Sequence, residues 1–172
     1  MEQLVNRVAN SGLITINLED NFPVAEIVAF DLKDYLFMEL ILKEKDFRAA
    51  LKEHDWQQYS DKILCVFCST DAIIPTWAYM LVASYATPHA VKVVQNDKDT
   101  FYQLAYQIAL AKLDMAQYED KRVVIKGCSN KPVPVSAYVE LTCLLRPVAK
   151  SIMYGEPCST VPIFKKPRIK KR

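Results

Sequence analysis

Along this chain the apolar residues follow two rhythms. Ile14, Ile16 and Leu18 alternate with Thr15 and Asn17, which predicts a half-buried strand over 14–18. An apolar run predicts a second strand over 26–32, which the run 35–42 would prolong after a turn. Ahead of them a short helix is expected over 4–10, stopped by Gly12. From 43 to 59 the rhythm becomes helical through Phe47, Ala50, Leu51 and His54, with Glu44 and Asp46 in the first turn, where the helix dipole favours acids. Beyond that, strands at 62–67, 90–95, 122–126 and 151–154 alternate with helices at 75–87, 98–113 and 134–149. Strict alternation implies an α/β fold, three-layered, with a mostly parallel sheet and helical crossovers. The two early strands are expected to add an antiparallel pair at its edge.

Two stretches look like copies of one unit. Residues 63–69 end in Cys68-Ser69 and lead through a loop to Pro75, and residues 123–129 end in Cys128-Ser129 and lead to Pro134. From the prolines onward Pro75, Ala78, Tyr79, Pro88 and Ala90 fall opposite Pro134, Ala137, Tyr138, Pro147 and Ala149. Average residue usage predicts about one such identity over this length. Helix grammar, which places proline at both ends of a helix, could supply the proline matches alone. An internal βαβ duplication is therefore expected.

Composition changes the picture little. The chain has 172 residues, is 51% apolar and contains only three glycines, which fits one domain over 1–164 with an ample core. Its apolar runs fall short of the ~20 residues that span a membrane. Met1-Glu2-Gln3 opens no secretory signal, and five cysteines, an odd number, argue for a reducing cytoplasm. Of 22 basic residues, six lie at 165–172, leaving 16 against 20 acidic ones, so the body is mildly acidic. The tail carries no interleaved aromatics and reads as a flexible solvated end, not a nucleic-acid site.

The candidate chemistry is in the cysteines. Cys68, Cys128 and Cys158 each precede a serine (Ser69, Ser129, Ser159) and each follows a predicted strand. In an open α/β sheet the ligand crevice lies past the carboxyl ends of the strands, so three thiols are expected to meet there. Gly127 and Gly155 stand just before two of them, where a strand turns sharply or a backbone approaches a ligand. Loops of five or six residues to the next proline have the length of binding loops. Three thiolates suit zinc or an iron–sulfur cluster, with water, Asp71, Glu156 or His54 as the fourth ligand. Trp77, Tyr79 and Tyr138 would line the site.

The alternatives are chemically distinct. One thiolate could carry sulfur or a redox equivalent that another resolves, making the protein a thiol enzyme or sulfur carrier. Alternatively the cysteines are small buried hydrophobes in an interaction scaffold, the reading adopted for Cys65 in mid-strand and Cys143 in mid-helix. Cys65 and Cys68 would face opposite sides of a strand, which disfavours a thioredoxin or zinc-knuckle pair. Two histidines, His54 on an apolar helix face and His89 in a connection, fit no hydrolase triad, and no phosphate-binding glycine motif occurs.

The residues 6–12 (NRVANSG), 42–48 (LKEKDFR), 75–79 (PTWAY), 125–128 (IKGC) and 154–160 (YGEPCST) together resemble a bacterial domain-of-unknown-function family, DUF2480. The resemblance covers nearly the whole chain except the basic tail and brings no established activity. Genes of that family often lie near those for iron–sulfur cluster assembly, so the resemblance implies iron or sulfur handling and assembly proteins as partners. The resemblance implies a pattern that includes Cys68, Cys128 and Cys158 but not reliably Cys65 or Cys143. The combined expectation is a cytoplasmic accessory factor with a three-cysteine zinc or iron–sulfur site, alone or as a homo-oligomer.

Overall fold

The computed structural model describes residues 12–127, 130–156 and 158–167, so the helix expected over 4–10 and most of the basic tail lie outside it. The strands are β1 (Leu13–Asn17), β2 (Ile27–Asp31), β3 (Leu36–Phe37), β4 (Ile41–Leu42), β5 (Ile63–Phe67), β6 (Lys92–Val94), β7 (Arg122–Lys126), β8 (Ser151–Glu156) and β9 (Ser159–Lys165). The helices are α1 (Glu44–Glu53), α2 (Thr76–Ala86), α3 (Lys98–Leu110) and α4 (Val135–Leu145). This is the mixed α/β architecture that the alternation predicts, with parallel strands and helical crossovers.

Contacts gather these elements into two compact units. One is Pro23–Phe101; the other takes the described residues up to Phe22 and from Tyr102 onward, so the first is inserted in the sequence of the second. The inserted unit holds a parallel sheet of order β2-β5-β6 and the small antiparallel pair β3-β4. The other holds β1-β7-β8-β9, in which only β9 runs antiparallel to its neighbour.

Both units follow one plan. A strand ends in a capped single-turn 3-10 helix (Leu32–Tyr35 or Leu18–Asn21), an α-helix follows, then a second single-turn helix (Trp56–Tyr59 or Met115–Tyr118), the central strand, a loop, a proline-opened helix and the third strand. From Asp55 to Ala90 the two copies stay in step at a constant displacement of 59 residues. Asp55, Gln58, Tyr59, Asp61 and Lys62 thereby match Asp114, Gln117, Tyr118, Asp120 and Lys121, in addition to the proline-helix identities. The backbone repeats as well. Asp55 and Asp114 each accept from the N–H two residues on at 3.0 Å, and Asp61 and Asp120 are both left-handed, at φ 62° and 52°. Asp tolerates that conformation better than most residues, which is a physical reason for finding it twice.

This register corrects one detail of the sequence reading. Pairing Cys68-Ser69 with Cys128-Ser129 needs a one-residue gap, yet β5 and β7, like α2 and α4, are displaced by 59 with none. Cys68 therefore corresponds to Gly127, and Cys128 corresponds to Ser69.

Each unit has its own core. In the inserted unit Phe47 and Leu51 of α1, Leu64 and Val66 of β5 and Val82 of α2 are buried together; in the other, Tyr106, Leu110, Val123, Leu141 and Ile152 are. The central strands are apolar without alternation because both of their faces are covered. Pro75 and Pro134, in extended conformation, open α2 and α4, and Pro88 and Pro147 follow their ends.

Other expectations are corrected. Strands 14–18 and 26–32 do not form an antiparallel pair; β1 lies parallel to β7 and β2 parallel to β5. The antiparallel pair in this part of the chain is β3-β4, made from the run 35–42. The helix drawn over 43–59 stops at Glu53, because the Asp55 side chain caps a separate turn. The strand β9 was not anticipated, and Lys165 belongs to it and not to a free tail.

Candidate functional site

At the carboxyl ends of the inserted unit's strands, Asp31 organises the backbone. Its carboxylate caps the turn after β2 by accepting from the Lys33 N–H at 3.0 Å, and accepts from the Ser69 N–H at 3.0 Å. It thus ties β2 to the loop that leaves β5. Burial alone would raise its pKa; the hydrogen bonds from Ser69 and Lys33 and the Lys33 charge outweigh this and lower it.

Cys68 is held in that loop. It is half-buried against the unit's core, its Sγ 3.2 Å from Thr70 Oγ1. Burial raises the Tyr79 phenol, and Cys68 adds to the shift; both side chains pack against the inserted unit's core. Ser69 and Asp71 are exposed in the same loop. Trp77 lies elsewhere: its ring is 6.2 Å from Phe47, with the Arg48 guanidinium 5.8 Å from its centroid, so it belongs with α1.

His54 also stands apart. Its Nε2 is 2.8 Å from the Tyr59 hydroxyl and its Nδ1 3.5 Å from that of Tyr35, within rings that include Phe30 and Trp56. Burial lowers its pKa, partly opposed by Asp55, and burial pushes the Tyr59 phenol up to about 12. Both ring nitrogens are engaged within an aromatic cluster.

In the other unit, Lys126 at the end of β7 pairs with Glu156 at the end of β8, Nζ to Oε2 at 3.3 Å. Glu19, after β1, accepts from the Asn130 N–H at 3.1 Å, while its carbonyl accepts from Lys131 at 3.2 Å. Gly127 has φ +134°, and a Cβ there would stand 3.1 Å from the Leu18 Cβ. Its bareness allows β7 to pass the turn after β1. Gly155, at φ +118°, lies under the Ser159 carbonyl, 2.7 Å from where its Cβ would be, so it serves the β8-β9 turn. Cys158 and Ser159 are exposed at that turn. Tyr138 meets Tyr154 edge to face at 5.7 Å.

The predicted cysteines belong to both units. Cys68 lies in the inserted unit and Cys158 in the other, while Cys128 and Ser129 lie outside the described residues. Among the described residues no three His, Cys, Asp or Glu side chains gather to hold a metal ion. The core assignment for Cys65 agrees with its full burial and a thiol pushed up to about 11 by that burial. Cys143 is corrected: it is exposed on α4. Sequence reasoning missed Asp31, although a pattern announced it: Asn17-Leu18-x-Asp20 and Asp31-Leu32-x-Asp34 both follow an apolar strand.

These features define a duplicated α/β protein whose polar groups collect at the ends of its parallel strands. The chain belongs to the family described as Protein of unknown function (DUF2480), whose model matches residues 2–166. No curated protein and no solved structure matches it. No helix among the described residues is long and apolar enough to cross a membrane.

Proposed function

We propose that the protein is an accessory factor that holds a soft metal, zinc or an iron–sulfur species, on cysteine thiolates, with Cys68, Cys128 and Cys158 as the candidate ligands. The observation that carries this reading is the placement of Cys68 directly after the central strand β5, accessible, in a loop pinned by Asp31. That is where open α/β sheets bind ligands. Cys158, exposed after β8, is similarly placed in its own unit. Thiolates favour zinc and iron over hard cations. Elemental analysis and an absorption spectrum on protein purified without oxygen test the reading, beside a Cys68→Ser, Cys128→Ser, Cys158→Ser variant. Stoichiometric zinc or iron, lost in the variant, is expected; metal-free protein of both kinds sinks it.

A second reading, sulfur carriage, needs one thiol only, and Cys68 at the end of β5 supplies it. The Cys68 thiolate would attack the outer sulfur of a donor persulfide, forming Cys68 persulfide and releasing the donor as its thiolate. Mass spectrometry after exposure to glutathione persulfide checks this. A gain of one sulfur atom at Cys68, absent in Cys68→Ser, is expected, and a gain spread equally over Cys143 excludes it.

A further inference from the structure

We infer that the unit carrying β9 holds a binding cavity for a small uncharged ligand built on a single ring, seated between α4 and the β8-β9 ribbon. The cavity has a volume of about 340 Å³ and is lined by Ile125, Val135, Tyr138, Thr142, Tyr154 and Ile163. An apolar cavity of ~150 Å³ accepts benzene, so this one has room for a ring with a short substituent. Tyr138 and Tyr154 cross at 78°, and an added ring packs favourably against such a pair. The Thr142 hydroxyl donates to the Tyr138 carbonyl at 2.7 Å and keeps its lone pairs for an O–H or N–H of the ligand. Among the described residues no charged side chain lines the wall, and the Lys126 and Glu156 charges pair with each other. A charged ligand would lose its water without gaining a partner.

The duplication supplies a comparison. At the displacement of 59, Val66, Thr76, Tyr79, Ala83 and Gln95 stand where Ile125, Val135, Tyr138, Thr142 and Tyr154 do. Ile163 has no counterpart, because the inserted unit has no strand after β6. This wall differs from its counterpart by β9, a tyrosine in place of glutamine, a threonine in place of alanine and a valine in place of threonine. The mouth is left apolar and open, with Val135 77% and Ile163 52% exposed.

This inference is independent of the thiol reading. The test is an NMR titration of the whole chain with p-cresol. Saturable one-to-one shifts at Tyr138 and Thr142 are expected, with a Kd of about 1 mM or tighter, the range of a one-ring ligand. Val135→Trp and Ile163→Arg, both at exposed rim positions, should each weaken binding about tenfold or more. The triple cysteine variant should bind unchanged. Absence of saturable shifts, or binding indifferent to both rim variants, overturns the inference. So does a dimer, seen by sedimentation, that both rim variants dissociate while p-cresol shifts nothing: a second copy would then be the occupant.

Discussion

The Asp31 carboxylate accepts a hydrogen bond from the Ser69 N–H at 3.0 Å, across 38 residues of chain, and so fixes the backbone immediately after Cys68. Because its folded pKa is below the unfolded value near ~3.9, its stabilisation is complete above that value and is lost as pH falls through the folded one. Asp31→Ala should cost about 2 kcal/mol at pH 7, combining a lost cap with a lost charged hydrogen bond. Asp31→Asn, which keeps an acceptor, should cost less and flatten the acid limb below pH ~4. Urea denaturation of the three proteins at pH 7 and pH 3 decides it; equal losses at both pH values would refute the role.

The glycines predict a graded series. Ala at Gly155 meets a backbone oxygen at 2.7 Å, which cannot step aside, and should cost about 3 kcal/mol. At Gly127 the nearest atoms are 3.1 Å away, and the cost should be about 1–2 kcal/mol. At Gly12 no described residue lies within 4 Å, and the left-handed backbone alone contributes about 1 kcal/mol. Melting temperatures of the three single variants should fall in that order, and any other order would break the link between close approach and cost.

Thiol reactivity should separate the cysteines by burial. In metal-free protein, iodoacetamide at pH 8, read by peptide mass spectrometry, should modify the accessible Cys68, Cys143 and Cys158 in the folded state and Cys65 only after unfolding. Cys65 is fully buried with its thiol held near 11, so thiolate is scarce there even apart from access. Early labelling at Cys65 would show that the strand β5 opens in the native state.

A histidine packed among Phe30, Trp56 and Tyr59 gives the inserted unit a second acid response. Burial lowers the His54 pKa below its unfolded value near ~6.5, so the unfolded chain takes up the proton first. Stability is then complete above pH ~6.5, declines as pH falls below it, and levels off once the folded ring protonates. His54→Gln should remove this slope while leaving the Asp31 limb below pH ~4 in place. Measured between pH 7 and pH 4.5, an unchanged slope in His54→Gln would assign the effect to another group.

Local signals made much of the fold legible in the sequence. The apolar runs at β5 and β7 and the prolines before α2 and α4 report backbone conformation directly, and these elements fall close to where the spacing puts them. Strand partners are set by contacts far apart in sequence, which is why β1 and β2 looked like a hairpin although each pairs with a strand from later in the chain. β9 is not legible in the sequence because Pro162 interrupts its alternation. On the site, the Cys-Ser dipeptides drew attention away from the true register, in which a glycine answers Cys68. Cys143 was misplaced because α4 is apolar on nearly all sides, leaving no periodicity to reveal its outer face.

One strained turn offers the last test. Between β3 and β4, Leu40 N–H closes on the Phe37 carbonyl at 3.2 Å, with Met38 and Glu39 left-handed at φ 50° and 59°. Turns of this kind favour Asn-Gly, because side chains with a Cβ pay for positive φ. Around it Phe37, Met38, Leu40 and Ile41 are exposed, and the Lys43 ammonium lies 3.3 Å from the Phe37 ring centroid. Replacing Met38 and Glu39 by Asn and Gly should therefore stabilise the protein by about 1 kcal/mol or more, since no buried contact at Met38 is given up. Chemical denaturation of the double variant measures it. A stabilised variant would identify the native pair as retained at a cost to stability, whereas a destabilised one would show that these two side chains make contacts that outweigh the backbone strain.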